Sequence, residues 1–254
     1  MPRVNWTREE TIITLNLYCK IPFNRVSSNH PEIIRISQII GRSPNAVKMK
    51  IGNFGRFDPE LRKRGIVGLS NGSKLDQIIW DEFNNNWDDL AYESEVLIAK
   101  LSNKSLEEIT GIETFNIPEG KERESIVKQR VNQNFFRSTV LSCYNSQCCI
   151  TGLSIPNFLV ASHIIPWSKD KKNRLNPRNG LCLNYLHDKA FDKGYITITQ
   201  DYKVKVSRYF NDFQKDNSVI DLFFKYKDHN IILPSKFLPS REFLEYHKTN
   251  IFIS

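Results

Sequence analysis

Apolar positions recur at helical spacing through the first part of the chain. In WTREETIITLNLYC, Ile12, Leu15 and Cys19 share one face, and Thr7 stands three residues before Glu10, the spacing of a capping box. In HPEIIRISQIIG, Ile33, Ile36, Ile39 and Ile40 form a stripe that Gly41 ends. RSPNAVKMKIGNFGRF starts with Ser43 as a cap and Pro44 at the first helical position. This pattern turns Val47 and Ile51 inward and Lys48, Lys50 and Arg56 outward. Residues 69–80 open with a turn-rich stretch, and the chain then reads as acidic helix through DEFNNNWDDLAYESEVLIAKLSNKSLEEI. Residues 121–142 predict an amphipathic helix with a break near Asn132. Beyond residue 143 the period shortens. CCITG, FLVASHII, GLCLN, YITIT and YKVKVS read as strands, and NYLHDKAFDKG as a helix that Asn184 caps and Gly194 stops. The C-terminal stretch ends in a short helix whose aromatic residues cover the core.

Composition adds limits. With 254 residues, 40% apolar and 25% charged, the chain reads as globular and large enough for one large domain or two small ones. No apolar run approaches the roughly 18 residues that span a bilayer, and MPRVNWTREE has no apolar leader. Five cysteines without framework spacing point to a reducing compartment, so a cytoplasmic protein with no membrane partner is expected. Charge is unevenly placed. Residues 1–75 carry 13 Lys and Arg against 5 Asp and Glu, residues 76–120 carry 2 against 11, and residues 121–215 carry 16 against 7. Two basic blocks around an acidic one suggest a polyanion touched at two places. The expected division is 1–75 as a basic helical module, 76–120 as an acidic helical connector, and 121–254 as a mixed α+β domain.

The stretch IIGRSPNAVKMKIGNF resembles the last two helices of a Myb-like or helix-turn-helix module. A small helical bundle with a basic face is the alternative; as basic residues of a DNA-contacting module, Arg42, Lys48, Lys50 and Arg56 are the expected contacts.

From Phe158 to Gly194 the order is strand, polar basic loop, strand, helix. Asp188 and Asp192 lie four apart on that helix, so their carboxylates share a face, and oxygen donors of this kind suit a hard divalent cation. Taken singly, a histidine on an apolar strand is most often a core residue, Asn179-Gly180 a turn, and the aspartates a solvated face. Taken together, His163, Asn179 and the His187-Asp188 pair resemble the signatures of an HNH, or ββα-metal, nuclease. The segments FFRSTVLSCYNSQCCITGLSI, LVASHIIPW and NPRNGLCLNYLHDKAFDKGYITI are similar to the HNH domains of bacterial restriction-type endonucleases. The resemblance implies His163 as general base, Asn179 as the residue that ties the loop and orients it, and Asp188 and Asp192 as ligands of one Mg²⁺ or Mn²⁺. His187 is the alternative to Asp188 as ligand, or a phosphate contact.

Lys169, Lys171, Lys172, Arg174 and Arg178 of the loop would meet the DNA backbone. Many such nucleases carry Asp or His just before the base, where this chain has Ser162. No second cysteine pair accompanies Cys148-Cys149, so no structural zinc is expected. The resemblance implies a metal-dependent endonuclease acting on double-stranded DNA, a homodimer when cutting both strands of a palindrome. A modification-dependent endonuclease is the alternative. A non-catalytic DNA-binding protein is another, kept open by Ser162.

Overall fold

A computed structural model describes residues 5–63, 65, 73–113 and 120–254. The turn-rich start expected at 69–72 lies outside the described residues, as does the end of the acidic segment at 114–119. The chain divides into two compact units, Met1–Thr139 and Val140–Ser254.

In the first unit, α1 (Arg8–Lys20) is closed at its start by the capping box of Thr7 and Glu10. It is followed by α2 (Pro31–Ile39), α3 (Pro44–Phe54), α4 (Pro59–Lys63), α5 (Lys74–Phe83), α6 (Trp87–Ser102) and α7 (Leu106–Thr110). Ser43 caps α3 with Pro44 in its first turn. α1 is not amphipathic: every residue from Thr11 to Cys19 is buried, because α3, α5 and α6 pack around it. Several of its polar groups bond inside, with Asn16 Nδ2 donating to Ser94 Oγ at 2.5 Å and the hydroxyls of Thr11 and Thr14 bonding back to the preceding turn.

The residues expected to form a separate acidic connector pack into this same unit as α5, α6 and α7. Their carboxylates meet the basic residues of the first block. Arg8 bridges Glu82 and Glu93, Lys20 reaches Glu95 at 2.5 Å, and Lys50 pairs with Asp76. Much of the charge separation along the sequence is therefore neutralised inside the folded unit. Two of the residues expected to contact DNA, Lys50 and Arg42, are engaged within the unit. Lys50 does not face outward: it is 3% exposed, hydrogen-bonded to Asp76, and its ammonium lies 4.8 Å from the Trp6 ring. Burial lowers its pKa, and Asp76 opposes that. Arg42 donates through Nε and Nη2 to Glu10 at 2.9 and 2.8 Å and lies 4.9 Å from the Trp6 ring. The mistake is one of phase: on α3 the positions of Val47, Lys50, Ile51 and Phe54 form the inward stripe, and a lysine on it must bring its own counter-ion. Lys48 is exposed and Arg56 half-buried.

α8 (Lys121–Cys143) is one continuous helix, without the break expected at Asn132. In the second unit, β1 (Leu159–His163) and β2 (Gly180–Asn184) pair antiparallel from Leu159↔Asn184 to His163↔Gly180. α9 (Tyr185–Asp192) follows β2 directly, and β3 (Ile196–Ile198) pairs antiparallel with β4 (Val204–Val206). The CCITG segment is a turn and not a strand. α10 (Asn217–Leu222) and α11 (Arg241–Asn250) complete the unit. The core gathers Leu159, Leu181, Leu183, Phe191, Ile196, Ile198 and Leu244, and the five cysteines are buried free thiols.

α11 holds the end of α9. His247 stacks on Phe191 with ring centroids 3.6 Å apart, donates from Nε2 to the Phe191 carbonyl, and receives the Thr197 hydroxyl at Nδ1. Gly194 ends the α9 segment at φ +72°, and a Cβ there would lie 2.1 Å from the Ile251 carbonyl oxygen, so only glycine fits. Among the described residues no helix is long and apolar enough to cross a membrane.

The buried ion pair makes a measurable distinction. Lys50→Ala strands the Asp76 carboxylate and is expected to cost about 3–5 kcal/mol in urea unfolding, whereas Lys48→Ala stays within about 0.5 kcal/mol. Equal effects of the two variants would show that Lys50 is not internal.

Candidate active site

Two residues at the end of β1 and one just before β2 frame the candidate centre. Ser162 pairs across the ladder with Leu181 and His163 with Gly180. The chain between the strands makes a 16-residue excursion, and its two ends are held together at Asn179. The Asn179 side chain is buried and uses both its functions. Oδ1 accepts from Ile165 N at 2.8 Å, and Nδ2 donates to the carbonyls of Ile165 and Asn173, each at 3.2 Å. Its own carbonyl accepts from Ile164 N at 2.9 Å. An amide side chain is the group that can pair with the N–H and the C=O of one residue at once.

The rest of the loop is braced by short polar side chains. Asp170 accepts from the backbone of Lys172 and Asn173, and Asn173 and Asn176 are joined through their side chains. Arg174 donates from Nε to the Trp167 carbonyl at 2.8 Å, with its guanidinium 4.9 Å from the Trp167 ring. Arg174 is half-buried, with its guanidinium engaged within the loop. Lys169, Lys171 and Lys172 are exposed and Arg178 is half-buried.

His163 sits against this frame. Its Nε2 lies 2.8 Å from the Arg174 carbonyl, and the Trp167 ring meets it edge-on at 5.5 Å. A carbonyl oxygen only accepts, so Nε2 carries the hydrogen and the Nδ1 lone pair is the basic one. Burial lowers the His163 pKa from 6.5, opposed by the Arg174 contact and by the charge of Asp188. The imidazole is thus uncharged at neutral pH, the form in which it can take a proton.

α9 supplies the carboxylates. Asn184 caps it, with Oδ1 accepting from His187 N at 2.9 Å and Nδ2 donating to His187 Nδ1 at 3.0 Å. His187 Nε2 donates to the Leu222 carbonyl at 2.7 Å, and the rings of Phe223 and Tyr226 pack edge-on against it. With 1% exposure and both nitrogens engaged, His187 anchors the helix. The next residue along the helix, Asp188, turns instead toward His163 and Ser162. Burial raises its pKa, and the neighbouring Ser162 hydroxyl and the charges of Lys189 and His163 offset part of that. Asp192 is raised by shielding from water and then by the charge of Asp188.

These donors fit a divalent cation. Two carboxylates with raised pKa values are short of positive charge. The buried Ser162 hydroxyl beside Asp188 makes no hydrogen bond of ordinary geometry. The protein donor set is small: among the described residues no group of three or more His, Cys, Asp or Glu could hold a metal. An ion here would depend on two protein carboxylates, with water and substrate oxygens completing its shell.

Residues 148–199 match the family model described as HNH endonuclease. That span contains His163, Asn179, Asp188 and Asp192 and supports an HNH nuclease. A search of curated proteins found no match.

Reading the sequence alone missed the part played by Trp167 and the Arg174 carbonyl. The signal available was the density of Asn and Asp in SKDKKNRLNPRN, side chains that fold loops back on themselves. Asn179→Ala leaves buried backbone groups of Ile165 without partners. It is expected to lower stability by about 1–3 kcal/mol and to shift the His163 ring resonances in NMR spectra. Unchanged stability together with unchanged resonances would rule out the tie between this amide and the histidine.

Proposed function

We propose that the protein is a metal-dependent endonuclease that hydrolyses phosphodiester bonds of double-stranded DNA, and that it acts in the restriction of foreign DNA. The observation that carries the reading is a backbone-held His163 that feels the charge of Asp188, itself next to Asp192, within the stretch that matches HNH endonucleases.

His163 Nδ1 takes a proton from a water molecule as the water oxygen attacks phosphorus. The P–O3′ bond breaks, the leaving oxygen takes a proton from solvent, and the products are a 5′-phosphate and a 3′-hydroxyl. Asp188 and Asp192 would hold one Mg²⁺ or Mn²⁺, which when bound supplies positive charge to the phosphate and to the leaving oxygen. Asn179 acts on the loop and not on the substrate: by fixing Ile165 and Asn173 it keeps the Arg174 carbonyl where it selects the His163 tautomer. Ser162 sets a neutral hydroxyl beside Asp188 and adds no charge of its own.

Contacts to the DNA backbone fall to the exposed Lys171 and Lys172 with Arg178 nearby, and in the first unit to Lys48 and Arg56. Cutting both strands of a palindrome requires two such centres, which a homodimer supplies.

The test is incubation of supercoiled plasmid with Mg²⁺, Mn²⁺ or EDTA, using DNA from methylating and non-methylating hosts. Discrete fragments from unmethylated DNA with either metal and none with EDTA are expected. Fragments from methylated DNA alone would replace restriction of unmodified DNA with a modification-dependent activity. Absence of cleavage with every metal, alongside retained duplex binding, would contradict the nuclease reading.

A further inference from the structure

The first unit has an open cleft of about 350 Å³ lined by Arg56, Phe57, Arg62 and Gln77. The Arg56 guanidinium lies 4.4 Å from the Phe57 ring, itself buried, and reaches the Ser73 carbonyl from Nη2 at 3.4 Å. Its Nε is buried and has no hydrogen-bond partner. Arg62 donates from Nη2 to the Arg56 carbonyl at 3.0 Å, which brings a second guanidinium to the same wall. Gln77 completes the lining with an amide turned to Asp81 through Nε2 at 2.8 Å.

Several other arginines of the unit are neutralised by acids. Arg8, Arg35, Arg42 and Arg123 each face a carboxylate. Among the described residues Arg56 and Arg62 have none, although Asp76 lies one residue from Gln77 and is committed to Lys50. Two like charges on one wall repel, and a buried donor without an acceptor costs free energy. Both costs are relieved by one occupant, an anion with several acceptor oxygens. A guanidinium fork matches phosphate geometry, and stacking on an aromatic ring holds the fork in place.

We propose that this cleft binds a phosphate group, with Arg56 and Arg62 as its ligands. Its source is a backbone phosphate of duplex DNA engaged by the first unit. The inference deepens the reading of the protein as acting on DNA. It is separate from the hydrolytic step, so it is tested without catalysis.

The full-length protein in EDTA is titrated with a fluorescent duplex over a range of salt concentrations. Separately, its melting temperature is followed in inorganic phosphate against chloride at equal ionic strength. Arg62→Gln, an exposed position, is the first variant, and Arg62→Lys keeps the charge but loses the fork. Arg62→Gln is expected to weaken duplex binding several-fold, to reduce the slope of log affinity against log salt by about 1, and to abolish the stabilisation by phosphate. Arg62→Lys restores only part of the affinity. Loss of the phosphate effect with unchanged duplex binding would overturn the DNA assignment and leave a free phosphorylated ligand as the occupant. Full restoration by lysine would reduce the cleft to general electrostatics. Unchanged duplex binding and no phosphate effect in the wild type would overturn the proposal altogether. Because metal is absent, none of these results depends on whether the second unit cuts DNA.

Discussion

The hydrogen bonds from Asn179 to both backbone groups of Ile165 are the constraint on which the catalytic centre depends. They close the excursion between β1 and β2, and so decide where the Arg174 carbonyl lies. That carbonyl in turn fixes which nitrogen of His163 carries hydrogen. A histidine in water interconverts its tautomers and is partly protonated near neutrality. Here the carbonyl fixes the tautomer, while burial favours the uncharged ring. The carboxylates obey the same logic with the opposite sign. Asp188 is pushed toward its protonated form by burial, and Asp192 by shielding and by Asp188, so the pair is poised for a positive charge. Under the proposed reading, burial acts on His163 and on the two aspartates in opposite directions within one small scaffold.

That scaffold is economical. Two five-residue strands, one short helix and a glycine stop place four functional side chains. Outside the centre, His187 and His247 hold the two ends of the helix through backbone carbonyls. The first unit shows a different use of charge. Its acidic helices take up many of the basic residues that precede them in sequence, and the buried pair of Lys50 and Asp76 sits at the point where α3 meets α5. Lys48 on the surface and the Arg56–Arg62 cleft are among the described cations that no carboxylate meets.

Much of this was legible in the sequence where the interaction is local. Thr7 with Glu10, Ser43 with Pro44, and Asn184 before its helix are caps defined by spacings of a few residues, and each forms as read. The pattern of strand, loop, strand and helix was likewise visible from Phe158 to Gly194. What escaped the sequence are pairings between distant segments. Nothing near Lys50 announces Asp76, and nothing in the acidic run says which cations it will meet. His187 and Asp188 are neighbours, but about 100° apart around a helix, so the sequence left both open. Packing decides between them, because His187 faces Leu222 and Phe223. Trp167 and Arg174 read as a hydrophobic and a basic loop residue, and only the folded loop reveals that a main-chain oxygen is the part of Arg174 that matters.

The central claim is that His163 is the base. The most direct measurement compares the cleavage rate of His163→Ala with that of wild type under metal conditions where the wild type cuts. Melting temperature and duplex affinity are followed in parallel. The account predicts a rate loss of about 10²–10⁴-fold with folding and DNA binding retained. A variant that folds, binds and cleaves at the wild-type rate would contradict it.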